Sequence, residues 1–167
     1  LIIAGQGTAG LEIVEDCPGL EAVVVPVSGG GLLSGIATAV KSVRPEAHVV
    51  GAEPAGAARF TRSRQAGRPV ILERADTVAD GLRALSPGRL TWEIAARYVD
   101  EFRPVPDPAI LAAVKDVLLE AHVLLEPSGA TAVAAALDAG HTNLATVAVA
   151  SGGNIDPSVL LQALQPS

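Results

Sequence analysis

The sequence is poor in several residue types, and each shortage excludes a class of structure or site. Its 167 residues contain one cysteine, no methionine and only 2% aromatic side chains. The single cysteine, Cys17, has no partner for an internal disulfide and is not enough for a thiolate metal cluster. So few aromatic rings disfavour a platform that stacks nucleic-acid bases. The core must therefore consist of Val, Leu, Ile and Ala, which are typical of buried parallel strands.

Charge and hydropathy narrow the range of partners. The net charge is −6 and the lysines and arginines form no basic stripe, so we expect neither nucleic acid nor membrane as a partner. No apolar run approaches the roughly 20 residues that span a bilayer, and no basic leader precedes the first apolar run. We expect a small-molecule ligand and a cytoplasmic location. Because the chain opens on Leu1 without an initiator methionine, we also expect a fragment or a processed product.

Short apolar runs alternate with amphipathic stretches, a pattern typical of βα units. The apolar runs predict strands over residues 1–4, 22–27, 48–53, 102–105 and 145–150. The stretches between them predict helices over residues 8–15, 32–43, 57–65, 89–98, 109–121, 130–139 and 158–164. Asp107 before Pro108 is predicted to cap a helix, Gly140 to end one, and residues 67–88 to form an irregular excursion. We expect an α/β fold of three layers, with a mostly parallel twisted sheet between helices, in a single domain over residues 1–167.

Two glycine-rich turns each follow a β-branched strand. Residues 28–31 (Ser-Gly-Gly-Gly) come after the strand at 22–27, and residues 151–154 (Ser-Gly-Gly-Asn) come after the last one. Both turns should lie at the carboxyl edge of a parallel sheet, where ligands of open α/β folds bind. The first turn is a candidate phosphate site because glycines leave their N–H groups accessible and the next helix adds its positive dipole end. The alternative is a turn whose glycines only permit tight packing.

A third glycine pattern points to a different ligand. Residues 5–10 (Gly-Gln-Gly-Thr-Ala-Gly) satisfy the G-x-G-x-x-G pattern of a dinucleotide site. That site also needs an acidic residue at the end of the next strand to bind the ribose. Here the next strand ends Pro26-Val27-Ser28, so packing of a helix against a strand is the better explanation of these glycines.

Six segments together resemble a known family. They are residues 3–8 (Ile-Ala-Gly-Gln-Gly-Thr), 26–32 (Pro-Val-Ser-Gly-Gly-Gly-Leu), 51–54 (Gly-Ala-Glu-Pro), 77–81 (Thr-Val-Ala-Asp-Gly), 125–129 (Leu-Glu-Pro-Ser-Gly) and 151–154 (Ser-Gly-Gly-Asn). In this order they resemble fold-type II pyridoxal-phosphate enzymes, and they are most similar to the threonine dehydratase and serine racemase group. The resemblance covers nearly the whole chain. It implies most of the larger, cofactor-binding domain of a tryptophan-synthase-β-like fold.

The resemblance also implies a cofactor, pyridoxal 5′-phosphate, and the residues that bind it. The phosphate would be bound by Ser28, Gly29, Gly30, Gly31 and the N–H of Leu32. The ring would lie near Gly81, Glu126, the Ser151 hydroxyl and Gly152, with the hydroxyl on the pyridine nitrogen. Gly81 is open to a second interpretation as a plain Asp-Gly turn, and Glu126 to one as a solvated carboxylate. A neutral hydroxyl at Ser151 makes the ring a weaker electron sink than a carboxylate would, which favours loss of a β-hydroxyl.

The implied activity is that of a threonine or serine dehydratase. Such an ammonia-lyase eliminates water from L-threonine or L-serine and yields a 2-oxo acid and ammonia. A serine racemase or a hydroxyaspartate dehydratase is an alternative within the family. A non-catalytic fragment or phosphate-ligand binding module is the alternative of another class. The relatives imply a homodimer.

The chain lacks an evident catalytic lysine. In the family the Schiff-base lysine lies in an amino-terminal part of the enzyme, whereas Lys41 and Lys115 are the lysines here. Both fall in predicted amphipathic helices, and we expect them to face solvent. We therefore expect no catalytic residue in this chain, an inactive chain when it is alone, and the amino-terminal part of the same enzyme as its partner.

This sequence matches only part of the metal site that some members of the family have. It uses a glutamate, a backbone carbonyl and a second acid, and Glu53 and Ala57 are weak candidates for the first two. Arg59 stands where the second acid is expected, and a guanidinium does not bind cations. We therefore expect no metal, with Glu53 capping the next helix or pairing with Arg59.

Overall fold

A single parallel sheet forms the centre of the protein. The computed structural model describes residues 1–138 and 144–165. Within them the strands are Ala22–Pro26 (β1), His48–Pro54 (β2), Glu101–Val105 (β3) and Thr146–Ala148 (β4). They pair in the order β3-β2-β1-β4, all parallel, with Val24 opposite Val50 in β2 and Ala148 in β4. All parallel strands end at one edge of the sheet, so both predicted glycine turns lie at that edge.

Helices fill the connections between the strands. They are Ile2–Asp16 (α1), Gly31–Val43 (α2), Arg59–Ala66 (α3), Arg89–Tyr98 (α4), Asp107–Asp116 (α5), Pro127–Asp138 (α6) and Pro157–Leu164 (α7). Short 3-10 turns occupy Ala55–Ala57 and Asp80–Leu82, and a π-helical turn, Val117–Ala121, extends α5. Among the helices so described, none combines the length and apolar character needed to cross a membrane.

The side chains of β1 alternate between two cores. Val23 and Val25 pack with α2 on one face, whereas Val24 packs with α5 and α6 on the other. All residues of β1 are buried, as expected for a central strand with a helical layer on each face. The three-layer α/β architecture predicted from the sequence is confirmed.

The first element is a helix, so the strand predicted over residues 1–4 is wrong. Helix α1 runs without a break from Ile2 to Asp16 and includes the helix predicted over residues 8–15. Its hydrogen-bond ladder starts at the first residue, because the Gly5 N–H donates to the Leu1 carbonyl at 2.9 Å. A short apolar run fits a strand and a helix equally well, so its pattern does not discriminate between them.

The three glycines of residues 5–10 lie inside α1, and two of them, Gly7 and Gly10, pack it against α2. A Cβ on Gly10 would lie 2.8 Å from the Cβ of Ala39, and one on Gly35 would lie 2.6 Å from the backbone nitrogen of Gly7. The neighbour of the glycines is therefore a helix and not the predicted strand. The strand before the turn that a dinucleotide site requires is missing here, because residues 2–16 are helical.

Several other boundaries differ from prediction. Asp107 is the first residue of α5 and Pro106 is its cap. The Asp107 carboxylate instead accepts hydrogen bonds from Thr77 Oγ1 at 2.6 Å and from the Val78 N–H at 2.8 Å, and sequence cannot show such distant partners.

Strand β4 is shorter than its predicted range, and the predicted stop at Gly140 lies outside the described residues. Residues 67–88 contain one 3-10 turn, which confirms the irregular excursion.

Lys41 forms an ion pair and is largely buried, so the prediction that it faces solvent is wrong. Its Nζ lies 2.8 Å from Asp100 Oδ2, and 14% of its side chain is exposed. It belongs to the last turn of α2, about 15 Å along the helix axis from Gly31. Lys115 is half-buried near the end of α5. Each lysine thus lies in the last turn of a helix that begins at the carboxyl edge of the sheet.

The close approach of α1 and α2 leads to a first prediction. Gly35→Ala should lower the free energy of unfolding by about 1–3 kcal/mol, since its Cβ would overlap the backbone of α1. Gly5→Ala is the matched control, because Gly5 is also helical but has nothing within 4 Å of an added Cβ. It should raise the free energy of unfolding by about 0.5–1 kcal/mol. Urea unfolding measures both, and equal effects at the two positions would contradict this packing.

A second prediction concerns Asp100, which links β2 to α2. Burial raises its pKa, but hydrogen bonds from Lys41 and the Val49 N–H and the charges of Lys41 and His48 outweigh this, so the pKa lies below 3.8. The carboxylate therefore stabilises the fold above pH 3.8, and this contribution disappears as the pH falls through the lower pKa of the folded chain. Asp100→Asn should destabilise the protein at pH 7 and progressively less below pH 3.8 in urea unfolding. A difference that stays constant down to strongly acidic pH would contradict this.

Candidate functional site

The turn after β1 is held in place by contacts with residues on its inner side. Gly30 caps α2 with a φ of 94°, and a Cβ there would lie 2.7 Å from the Phe60 ring and 2.8 Å from Thr91. The Gly29 carbonyl accepts hydrogen bonds from Thr91 Oγ1 at 2.6 Å and from the Gly88 N–H at 3.3 Å. Only glycine fits at position 30, both for its left-handed backbone and for the space available. The turn is therefore anchored on its inner side.

The outer side of the same turn is open. A Cβ added to Gly29 would meet no atom within 4 Å, and Gly29 itself is exposed. The first N–H groups of α2, those of Gly31 and Leu32, have no acceptor within the helix. Ser28 Oγ accepts the Ala84 N–H at 3.4 Å, which leaves its own proton to donate. The turn thus presents a hydroxyl and helix N-terminal N–H groups, a combination that suits an anion.

The other predicted site residues meet in a second cluster at the same edge of the sheet. The Gly81 N–H donates to Ser128 Oγ at 2.9 Å. A Cβ on Gly81 would lie 3.7 Å from Glu126 Oε1, and one on Gly152, whose φ is 81°, would lie 2.6 Å from that oxygen. We call Gly81, Glu126, Ser128 and Gly152 the ring-side cluster. Three of its members were predicted, and the structure brings them together.

Glu126 holds the turn that contains Ser151. Its Oε2 accepts the Asn154 N–H at 3.1 Å, and its backbone N–H donates to the Gly152 carbonyl at 3.2 Å. At the start of α6, Gly129 approaches the Ser151 carbonyl so closely that a Cβ would overlap it. The Glu126 carboxylate thus binds the main chain of this turn, whereas a carboxylate in contact with water alone would not hold the turn in place. Ser151 is half-buried in this turn.

Of the two residues predicted as weak metal candidates, Glu53 has another role. Both oxygens of the buried Glu53 accept N–H groups at the start of α3, from Phe60 at 3.0 Å and from Thr61 at 2.7 Å. Burial raises the pKa of Glu53, and these hydrogen bonds and the charge of Arg59 oppose the rise. Ala57 ends the preceding 3-10 turn. Glu53 therefore caps α3, one of the two roles expected for it, and residues 1–138 and 144–165 contain no group of three or more acids, histidines or cysteines placed to hold a metal.

Sequence reasoning missed four residues that shape the site. Thr91 and Phe60 support the glycine turn, Ser128 binds Gly81, and Arg59 contacts both parts of the site. Each acts across a long separation along the chain, which no local pattern reveals. Ser128 alone had a signal, because it lies in one of the six segments that carry the family resemblance.

Comparison with known proteins decides the family. The family model described as "Pyridoxal-phosphate dependent enzyme" matches residues 1–153. The chain belongs to this family of pyridoxal-phosphate-dependent enzymes. The resemblance inferred from the six segments is therefore confirmed.

Relatives within this family have two activities in their names. The chain is 41% identical to serine racemase of Oryza sativa subsp. indica, over 97% of this chain and 50% of the relative. It is 44% identical to L-threonine ammonia-lyase of Thermotoga maritima, over 95% of this chain and 40% of the relative. The processed form of threonine deaminase isoform 2 from Solanum lycopersicum superposes with a TM-score of 0.93 at 39% identity, over 97% of this chain and 48% of that structure. The chain thus spans about half the length of the relatives it matches.

Proposed function

We propose that this chain is the part of an ammonia-lyase that binds pyridoxal phosphate, and that the intact protein eliminates water from L-threonine or L-serine. The observation that supports this most is that the residues predicted for the phosphate and those predicted for the ring lie at one edge of the sheet. The open glycine turn at residues 28–31 and the ring-side cluster are joined through residues 82–84. In this reaction the α-proton and the β-hydroxyl leave as water, and a second water then releases ammonia and the 2-oxo acid.

The residues at this edge fit the cofactor. Ser28 and the N–H groups that begin α2 suit a phosphate, and the space in front of Gly29 is free of protein atoms. Gly81 and Gly152 are both exposed, so a flat ring can lie against their main chain beside Glu126. When bound, pyridoxal phosphate supplies an electron sink for the pair left at the substrate α-carbon. The protein supplies the orientation that aligns the ring with the bond to be broken.

Ser151 supports elimination through its chemistry. We assign its hydroxyl to the pyridine nitrogen, in a turn that Glu126 holds by the Asn154 N–H at 3.1 Å. A hydroxyl does not keep that nitrogen protonated as a carboxylate does, so negative charge at the α-carbon is less stabilised. A β-hydroxyl then leaves promptly, which suits hydroxyamino acids.

The remaining part of the active site would come from sequence outside this chain. Lys41 and Lys115 lie in the last turns of α2 and α5, which both begin at the carboxyl edge of the sheet. The serine racemase of Oryza sativa is about twice as long as this chain. An open apolar groove of about 1130 Å³ beside Gly29 and Gly31, between α1, α2 and α4, is where we place the preceding part of the protein with its catalytic lysine. It follows that residues 1–167 form most of one cofactor-binding domain and are inactive alone. We also propose a dimer, in the cytoplasm.

Racemisation of serine is the second candidate, because a serine racemase is 41% identical to this chain. It requires the same cofactor site and differs in whether the β-hydroxyl leaves before the α-proton returns. The product assay described below separates the racemase from the ammonia-lyase.

A test of the phosphate site uses Gly29→Ala in the intact protein. Its Cβ meets no protein atom within 4 Å, so the free energy of unfolding should change by no more than about 0.5 kcal/mol. The Cβ would instead enter the space assigned to the phosphate, and the dissociation constant for pyridoxal phosphate should rise at least about tenfold. Gly19→Ala is the matched control, because that glycine is equally unobstructed but lies before β1. Equal affinities of the two variants would contradict the assignment.

A test of the activity follows the products. The intact protein with pyridoxal phosphate should release ammonia and 2-oxobutanoate from L-threonine, and Ser151→Ala should lower this rate about tenfold through loss of one hydrogen bond. Ser158→Ala, on the exposed start of α7, should leave the rate unchanged. D-serine formed from L-serine with little pyruvate would favour the racemase. Cofactor or phosphate binding without either product would favour the non-catalytic binding module.

A further inference from the structure

Arg59 is a fully buried cation at the carboxyl edge of the sheet. None of its surface is exposed. Its guanidinium donates to the carbonyl oxygens of Val27 and Ser28 at 2.9 Å each, and also to the carbonyl of Leu82. A planar guanidinium can bind several acceptors at fixed angles, which an ammonium cannot do.

The carbonyls that Arg59 binds belong to two separate parts of the site. Val27 and Ser28 lead from β1 into the glycine turn, and Leu82 follows Gly81 of the ring-side cluster. One side chain therefore connects the segment assigned to the phosphate with the segment assigned to the ring. The Ala84 N–H adds a weaker link, at 3.4 Å from Ser28 Oγ.

Stability alone does not explain a cation at this position. Glu53, equally buried, is the counter-charge, yet both of its oxygens are directed to the N–H groups of Phe60 and Thr61. Arg59 Nε is buried with no hydrogen-bond acceptor in the described part of the chain. Burial lowers the pKa of Arg59, against the charge of Glu53. A well-packed apolar side chain often stabilises such a position as much as a buried ion pair does.

We propose that Arg59 is a positioning residue that sets the separation between the glycine turn and Gly81, so that both ends of the cofactor are bound at once. This inference rests on the proposed function. It predicts that Arg59 matters most for a ligand that has both a ring and a phosphate. A ligand with only one of these groups does not need the two segments at a fixed separation.

The experiment compares three ligands in the intact protein and in three variants. The ligands are pyridoxal phosphate, pyridoxal and inorganic phosphate, with the first two titrated by absorbance and the third by competition. The variants are Arg59→Met, Arg59→Lys and Arg64→Met. Arg64 is the matched control, because it lies on the same helix and its guanidinium donates to two main-chain carbonyls, those of Asp100 at 2.8 Å and Val99 at 2.6 Å. Those carbonyls precede β3, at the opposite edge of the sheet.

Arg59→Met should raise the dissociation constant for pyridoxal phosphate at least about tenfold. The dissociation constants for pyridoxal alone and for inorganic phosphate should each change by less than about threefold. Arg59→Lys keeps the charge but cannot reach all three carbonyls, so its loss should be intermediate. Arg64→Met should leave all three affinities unchanged. If Arg59→Met does not fold, the preferential loss of pyridoxal phosphate in Arg59→Lys decides the question.

Two results would overturn the inference while the proposed function stands. One is an unchanged affinity for pyridoxal phosphate in both Arg59 variants. The other is an equal loss for all three ligands, which would show a purely structural role. An unmodified intact protein that binds neither pyridoxal phosphate nor pyridoxal would instead overturn the proposed function, and the role of Arg59 with it.

Discussion

The burial of β1 on both faces is the constraint on which the site depends. Parallel strands need a crossover connection, which is usually a helix, and here α2 begins only five residues after β1 ends, at Gly31. Helix α1 packs so closely on α2 that Gly35 has no room for a Cβ, and this contact fixes the direction of α2. The N-terminus of α2 is thereby aimed at the carboxyl edge of the sheet, where its N–H groups are open to an anion.

A second constraint is the pair of buried charges, Glu53 and Arg59. Glu53 caps α3 and so fixes the helix that carries Arg59, whose guanidinium reaches the carbonyls of Ser28 and Leu82. The ring-side cluster depends in the same way on Glu126, which connects the loop before α6 to the turn after β4. The two halves of the site are thus assembled by side chains of β2, α3 and the loop before α6. Such an arrangement suits a ligand with chemically different ends.

Local patterns predicted the sheet and most of the helices, because β-branched runs and helical periodicity are local properties. They failed at residues 1–4, where a short apolar run fits either structure, and at Asp107, whose carboxylate has a distant partner in Thr77. The glycine turn was visible as a pattern. The approach of Gly81 to Glu126 was implied only by the family resemblance, and the contacts of Arg59 were not visible at all, because 23 to 32 positions separate it from the residues it binds.

The central claim is that this chain binds the cofactor while another part of the protein reacts with it. Borohydride reduction of the intact protein with pyridoxal phosphate, followed by mass spectrometric mapping of pyridoxyl-lysine, tests this most directly. The account predicts an adduct on a lysine outside residues 1–167, with Lys41 and Lys115 unmodified. A stoichiometric adduct on Lys41 or Lys115 would contradict it, because each lies in the last turn of a helix that begins at the carboxyl edge of the sheet.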